Sequence, residues 1–172
     1  MILQQRYPVA CTIAACVVCG PLLAQSATEH HVWQDRRKFE PYSRTAESIT
    51  GTIRLSGNPD FAIPGSKLAI TFGNGKKVGL TSVGASWRQW DETGEKKATA
   101  EVFKLSRDPG ALRNGNTLCG DPKADPAQYV VFFERSSSGA PPLLGMAVFG
   151  SKDAPHDINS PNLCGTFNYS TD

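Results

Sequence analysis

The sequence is poor in the residues from which catalytic centres are usually built. It holds 3 histidines in 172 residues, and two of them, His30 and His31, are adjacent in a polar stretch. No G-x-S-x-G, Gly-rich phosphate loop or dinucleotide fingerprint occurs, so the usual starting points for hydrolases and nucleotide enzymes are missing. C-x-x-C spacing is missing too, which leaves a zinc site of about four ligands without a frame. Net charge is small, +2 by formal count, and argues against a nucleic-acid binder driven by phosphate neutralisation. No apolar run reaches the roughly 20 residues that span a bilayer. Long helical periods and low-complexity segments are absent as well.

What is present begins with an N-terminal stretch of a different character. Arg6 is followed by an apolar run over 9–24, with no acid before Glu29. A basic start, a short apolar centre interrupted by Pro21, and small residues at Ala24 and Ala27 mark a secretory signal peptide over 1–24. Cleavage after Ser26 or Ala27 is an alternative. A lipoprotein reading competes, because Ile13-Ala14-Ala15-Cys16 has lipobox residue types and would anchor the chain through Cys16. Either reading places the mature chain in the periplasm or outside the cell, with no stable membrane span. Cleavage after Ala27 would expose Thr28-Glu29-His30, a start that can chelate copper or nickel.

Cysteine arithmetic follows. Of 5 cysteines, Cys11, Cys16 and Cys19 leave with the signal, and Cys119 and Cys164 remain where disulfides persist. Their bond would close a loop of about 45 residues and stabilise the fold by around 4 kcal/mol in the chain-entropy model.

The expected domains are a polar arm over 25–46 and an all-β domain over 47–172. The arm shows no period and reads as a mobile extension or a late-docking strand. With 16 glycines and 12 prolines, turns are frequent, which favours β over α. Ile49, Ile53 and Leu55 share one face of a first strand; Leu68, Ile70 and Phe72 share one face of the next. A three-residue loop Gly73-Asn74-Gly75 would pair Ile70 with Val78 and Leu68 with Leu80, with Gly75 left-handed. Further strands are expected at 85–90, 99–105, 129–134, 143–149 and 166–169, and a helical turn at 108–114 capped by Asp108. About eight strands make a small antiparallel barrel or sandwich. Alternation at the C terminus puts Phe167 and Tyr169 inward and Cys164 outward, so the disulfide would lie outside the core, with placement between two sheets the alternative.

The candidate ligand-binding residues are Trp87, Arg88 and Trp90. In a regular strand Trp87 and Trp90 have opposite parity. Either a bulge realigns them, or one is exposed, or the strand ends near Gln89 and Trp90 folds over the sheet edge. An exposed Trp beside an Arg has the composition of an interface anchor. No catalytic set is assigned: His156 sits in a polar loop, and Asp91, Glu92 and Glu95 share one charged turn.

The runs Leu112-Arg113-Asn114-Gly115-Asn116-Thr117-Leu118-Cys119-Gly120 and Leu163-Cys164-Gly165-Thr166-Phe167, with the hairpin Ile70-Thr71-Phe72-Gly73-Asn74-Gly75, resemble exported proteobacterial proteins with paired Leu-Cys-Gly motifs. That resemblance covers most of the mature domain and implies no activity. A weaker likeness is to periplasmic inhibitors of C-type lysozyme, small β-barrels whose exposed S-G-x-x-Y loop enters the enzyme's cleft. The nearest stretches here are Val83-Gly84-Ala85-Ser86-Trp87 and Ser138-Gly139-Ala140, and neither keeps serine, glycine and tyrosine together. The expectation is a monomeric, cofactor-free binding module for a protein or envelope ligand. Lysozyme inhibition, a structural role in the envelope and a hydrolase using His156 are its alternatives.

Overall fold

Register in the first hairpin follows from its turn. Phe72 N–H donates to Lys76 O at 2.9 Å, and Gly75 takes φ 84°. The three residues between the pair leave Ile70 opposite Val78 and Leu68 opposite Leu80. All four are buried. The left-handed φ suits Gly75, which has no Cβ to clash. The computed structural model describes residues 30–57, 60–91, 97–135 and 142–171, and this hairpin supplies strands β3 (Lys67–Thr71) and β4 (Lys77–Arg88).

The remaining strands are β1 (Lys38–Phe39), β2 (Ile53–Gly57), β5 (Ala98–Leu105), β6 (Tyr129–Arg135), β7 (Leu143–Phe149) and β8 (Leu163–Ser170). They form one eight-stranded sheet in the order β1 to β8, with every neighbouring pair antiparallel. The sheet curls into a half-barrel, and a short seam draws its edges together. Pro41 bridges Tyr169, Tyr42 N–H donates to Asn168 O at 2.8 Å, and Ser170 N–H donates to Glu40 O at 2.9 Å. One curled sheet, rather than two stacked ones, decides between barrel and sandwich. No helix among the described residues is long and apolar enough to cross a membrane.

Two apolar clusters flank the sheet. Phe39, Ile53, Leu55, Phe103, Phe132, Met146, Phe167 and Tyr169 belong to the inner one. The outer one covers β5 to β7 and includes Trp90, Val131, Phe133, Phe149 and Ile158. Burial of β6 on both faces explains why Tyr129-Val130-Val131-Phe132-Phe133 is a continuous apolar run with no alternation. On the outer face Phe133 lies over its cross-strand partner Gly145, where an added Cβ would meet the Phe133 ring at 2.4 Å.

Several expectations are corrected here. The 85–90 strand is the continuation of β4, re-aimed by a bulge between Ser82 and Gly84; its regular part ends at Arg88. Ile49 belongs to a π turn, Ala46–Thr50, and not to β2. The helical turn expected over 108–114 is a 3-10 turn at Arg113–Gly115. Asp108 instead accepts Gly110 N–H at 2.5 Å and Ala127 N–H at 2.6 Å. Of the two readings of the arm, its described part follows the docked strand and not the mobile extension: it contributes β1 and the 3-10 turn Val32–Gln34, and Trp33 and Phe39 are fully buried.

The Cys119–Cys164 disulfide forms, with Cα atoms 4.4 Å apart, but its placement differs from the alternation argument. A bulge pairs Val148 with Gly165 and Phe149 with Leu163, skipping Cys164. The extra residue reverses local parity. Leu163 therefore packs on the outer cluster, while Cys164 and Cys119 pack against the inner one.

Candidate functional site

The conflict between the two tryptophans is resolved by the end of β4. Trp87 is opposite Thr99 and Arg88 opposite Ala98, as regular strand pairs. Beyond them Gln89 O accepts Ile158 N–H at 2.9 Å, which holds the chain against the loop after β7. Trp90 is thereby laid over the outer face. It is 0% exposed and edge-on to Phe149, with ring centroids 6.4 Å apart. Its indole N–H has no hydrogen-bond partner among the described residues. Trp90 is thus a core residue and leaves the candidate ligand set; the strand ends just before Gln89 and the ring folds over the sheet, one of the alternatives that opposite parity left open.

Trp87 is 61% exposed, and Arg88 is exposed beside it. On one side their strand segment has no described strand beside it. Lys67–Thr71 covers β4 only as far as Thr81, and the chain before it adds Ser66 O to Ser82 N–H and Gly65 N–H to Ser82 O. Residues 84–88 pair with β5 alone among the described strands. Val83, pushed out at the bulge, is exposed too. Chemically this is a large apolar ring and a guanidinium on a half-covered strand, suited to contact; the neighbouring Ser86 hydroxyl donates to His156 O at 3.4 Å.

The His156 loop brings a serine, a histidine and an aspartate together. His156 Nδ1 is 3.1 Å from Ser160 Oγ, and Nε2 is 3.5 Å from Asp157 Oδ2. Ser160 is nonetheless buried, and its Oγ accepts the N–H groups of His156 at 3.0 Å and Asp157 at 3.2 Å. With both lone pairs occupied, the hydroxyl donates to Nδ1 and ties the loop; an attacking serine needs a free lone pair. Asp91 pairs with Arg135 at 2.7 Å, whereas Glu92 and Glu95 lie outside the described residues, as do Thr28, Glu29 and Ser138-Gly139-Ala140. His30 Nε2 is 2.8 Å from Asp35 Oδ1. Val83-Gly84-Ala85-Ser86-Trp87 is strand and not loop.

A polar cluster inside the curl was missed by the sequence argument. Glu101 is fully buried and accepts Ser82 Oγ–H at 2.5 Å and the Trp33 indole N–H at 2.9 Å. His31 stacks on Trp33, with ring centroids 4.4 Å apart and planes 2° from parallel, and its Nδ1 is 3.4 Å from Glu134 Oε1. Val32 N–H also donates to Glu134 Oε1, at 2.9 Å. The signal was available: Glu101 has the same strand parity as the core residues Phe103 and Leu105, an acid where an apolar residue is expected.

Compared with protein-family models, with curated proteins and with solved structures, the chain matches none.

Proposed function

We propose that this chain is an exported, non-catalytic binding module that holds a protein or envelope ligand through the end of β4, with Trp87 as anchor and Arg88 beside it. The observation that carries the reading is the 61% exposure of Trp87 on a strand segment paired on one side only among the described strands. Large rings at the surface of a rigid strand bury much area at little entropic cost, and Trp and Arg are the residues that dominate interface energetics. Export rests on the residue pattern of 1–24, and the disulfide is consistent with it. The likeness to lysozyme inhibitors is less favoured, because Val83-Gly84-Ala85-Ser86-Trp87, one of the two stretches nearest their inhibitory loop, is strand here.

The test is a pull-down from envelope extract with wild type, Trp87→Ala and Arg88→Ala, with folding checked by circular dichroism. A specific partner retained by wild type should be lost with Trp87→Ala and weakened with Arg88→Ala. Equal retention by all three folded proteins would refute the assignment. A lysozyme turbidity assay in parallel separates the inhibitor reading, which predicts protection of cells at stoichiometric protein.

A further inference from the structure

The outward face of strands β1 to β5 carries a second, independent feature. Its charged residues are of one sign. Strands β1 to β4 contain no acidic residue at all, and the one acid of β5, Glu101, points inward. Register sorts five outward cations into two rows, with Arg88 apart from them at the end of β4. Lys38, Arg54, Thr71 and Lys77 are successive cross-strand partners. Lys67, Thr81 and Lys104 are another such series. All five cations are exposed, and none makes an ion pair with a carboxylate among the described residues; Lys67 Nζ donates to Thr81 Oγ1 at 2.8 Å.

Between the rows the side chains are small. Ser56 is opposite Ala69, and Ala69 opposite Gly79. Gly79 in turn exchanges bonds with Ser106, whose N–H donates to Gly79 O at 2.8 Å and whose Oγ accepts Gly79 N–H at 3.2 Å. A trough with a floor of Ser, Ala, Gly and Ser therefore crosses β2 to β5, with long cationic side chains on each bank. Four residues separate the banks along β3, about 13 Å at strand rise, and four strands give a length of about 15 Å. Net charge alone gave no hint of it, because the described acids lie outside these strands or, like Glu101, point inward.

We infer that this trough binds an acidic polysaccharide lying across the strands, its carboxylate or phosphate groups met by Arg54 and Lys77 on one bank and Lys67 and Lys104 on the other. Three observations favour a glycan over other polyanions. The outward positions offer no aromatic ring for base stacking, the usual device of single-strand nucleic-acid grooves. The floor and banks of the trough offer no large apolar side chain to insert into a bilayer. β2, β3 and β4 are paired on both sides here, so an acidic peptide finds no edge to extend. The serines of the floor and its bare backbone suit sugar hydroxyls.

The experiment measures binding to polygalacturonate and to heparin at low salt, with neutral dextran as control. Arg54→Gln/Lys77→Gln/Lys104→Gln should weaken binding by about tenfold or more, in proportion to the charge contacts removed. Arg44→Gln/Lys123→Gln/Lys152→Gln makes the same net-charge change at exposed positions elsewhere and should stay within about twofold of wild type. Ala69→Trp fills the floor at constant charge and should weaken binding as well. Equal losses in the two triple variants, or no loss in the first, would overturn the proposal. So would tighter capture of oligo(dT) or phosphatidylglycerol vesicles through the same residues. Trp87→Ala should leave glycan binding unchanged, which separates this surface from the β4 end.

Discussion

Replacing Trp33 by Phe removes one N–H from the interior of the curl and little else. Glu101 Oε2 then loses the donor that reaches it at 2.9 Å. The carboxyl is fully buried, so bulk solvent cannot take the donor's place. A buried acceptor left unsatisfied costs about 1–3 kcal/mol, and the smaller ring surrenders about 1 kcal/mol of apolar burial. The total is about 2–4 kcal/mol, a large part of the stability of an ordinary domain. At about 1.5 kcal/mol per molar urea, the unfolding midpoint should fall by about 1.5–2.5 M. Glu101→Gln is the conservative partner. Its amide oxygen can accept from the indole and its NH2 can donate to Ser82 Oγ, so a loss under about 1.5 kcal/mol is expected. Glu101→Leu instead strands the Trp33 N–H. Combined with Trp33→Phe it should cost about 1–2 kcal/mol less than the sum of the two single changes. Additivity within about 0.5 kcal/mol, or a Trp33→Phe loss below about 1 kcal/mol, would refute the claim that this bond ties residues 31–34 into the core.

Three further outcomes follow from other contacts. Gly145→Ala should destabilise by about 1–3 kcal/mol, because its Cβ would meet the Phe133 ring; Phe133→Leu should relieve most of that cost, and full loss in the double variant would contradict the steric account. Cys119→Ser/Cys164→Ser should lower the thermal midpoint by roughly 10–15 °C, from about 4 kcal/mol of loop entropy; a calorimetric shift under about 3 °C would show that the reduced chain is already restrained. Burial pushes the Tyr169 phenol above its ordinary range, and its hydrogen bond with Thr50 lowers it only in part. The folded state therefore holds this proton more tightly than the unfolded chain, and stability is full below about pH 10 and falls as pH rises above it. In ultraviolet titration one phenolate should appear only together with unfolding, and that component should vanish in Tyr169→Phe.

Local rules carried the parts of the fold that depend on neighbours in sequence. The 73–75 turn predicts its register because a left-handed glycine and an alternating pattern on both sides admit one pairing that keeps Ile70 and Val78 together. The one-sheet curl was legible only as a count of strands. Bulges defeated the rest. One at Val83 joins two expected strands into β4, and one at Cys164 turns the cysteine from the outer to the inner cluster. Gly84, left-handed at the first bulge, is a local mark of it, but a lone strand glycine does not say which way the register shifts. The polar arm hid Trp33 and Phe39 because their partners, Glu101 and the inner cluster, are far along the chain. Of the candidate ligand residues, Trp87 and Arg88 are at the surface and Trp90 is not; opposite parity showed that the two rings must part, but which one enters the core depended on the loop holding Gln89.

The seam between the two ends of the sheet has a kinetic meaning. With strands ordered as they occur in the chain, every pairing from β1 to β8 joins consecutive strands. The seam is remote, as is the docking of residues 31–34: Ser43 Oγ receives Asn168 N–H across 125 residues, and Glu134 Oε1 receives Val32 N–H across 102. Closing so large a loop costs entropy that the intervening hairpins, once formed, have largely removed. The meander can therefore assemble progressively, each strand templating the next, and the curl is fastened last. The fastening is a few backbone bonds at 40–43 and 168–170, so it is also where transient opening should begin and where amide protons should exchange soonest.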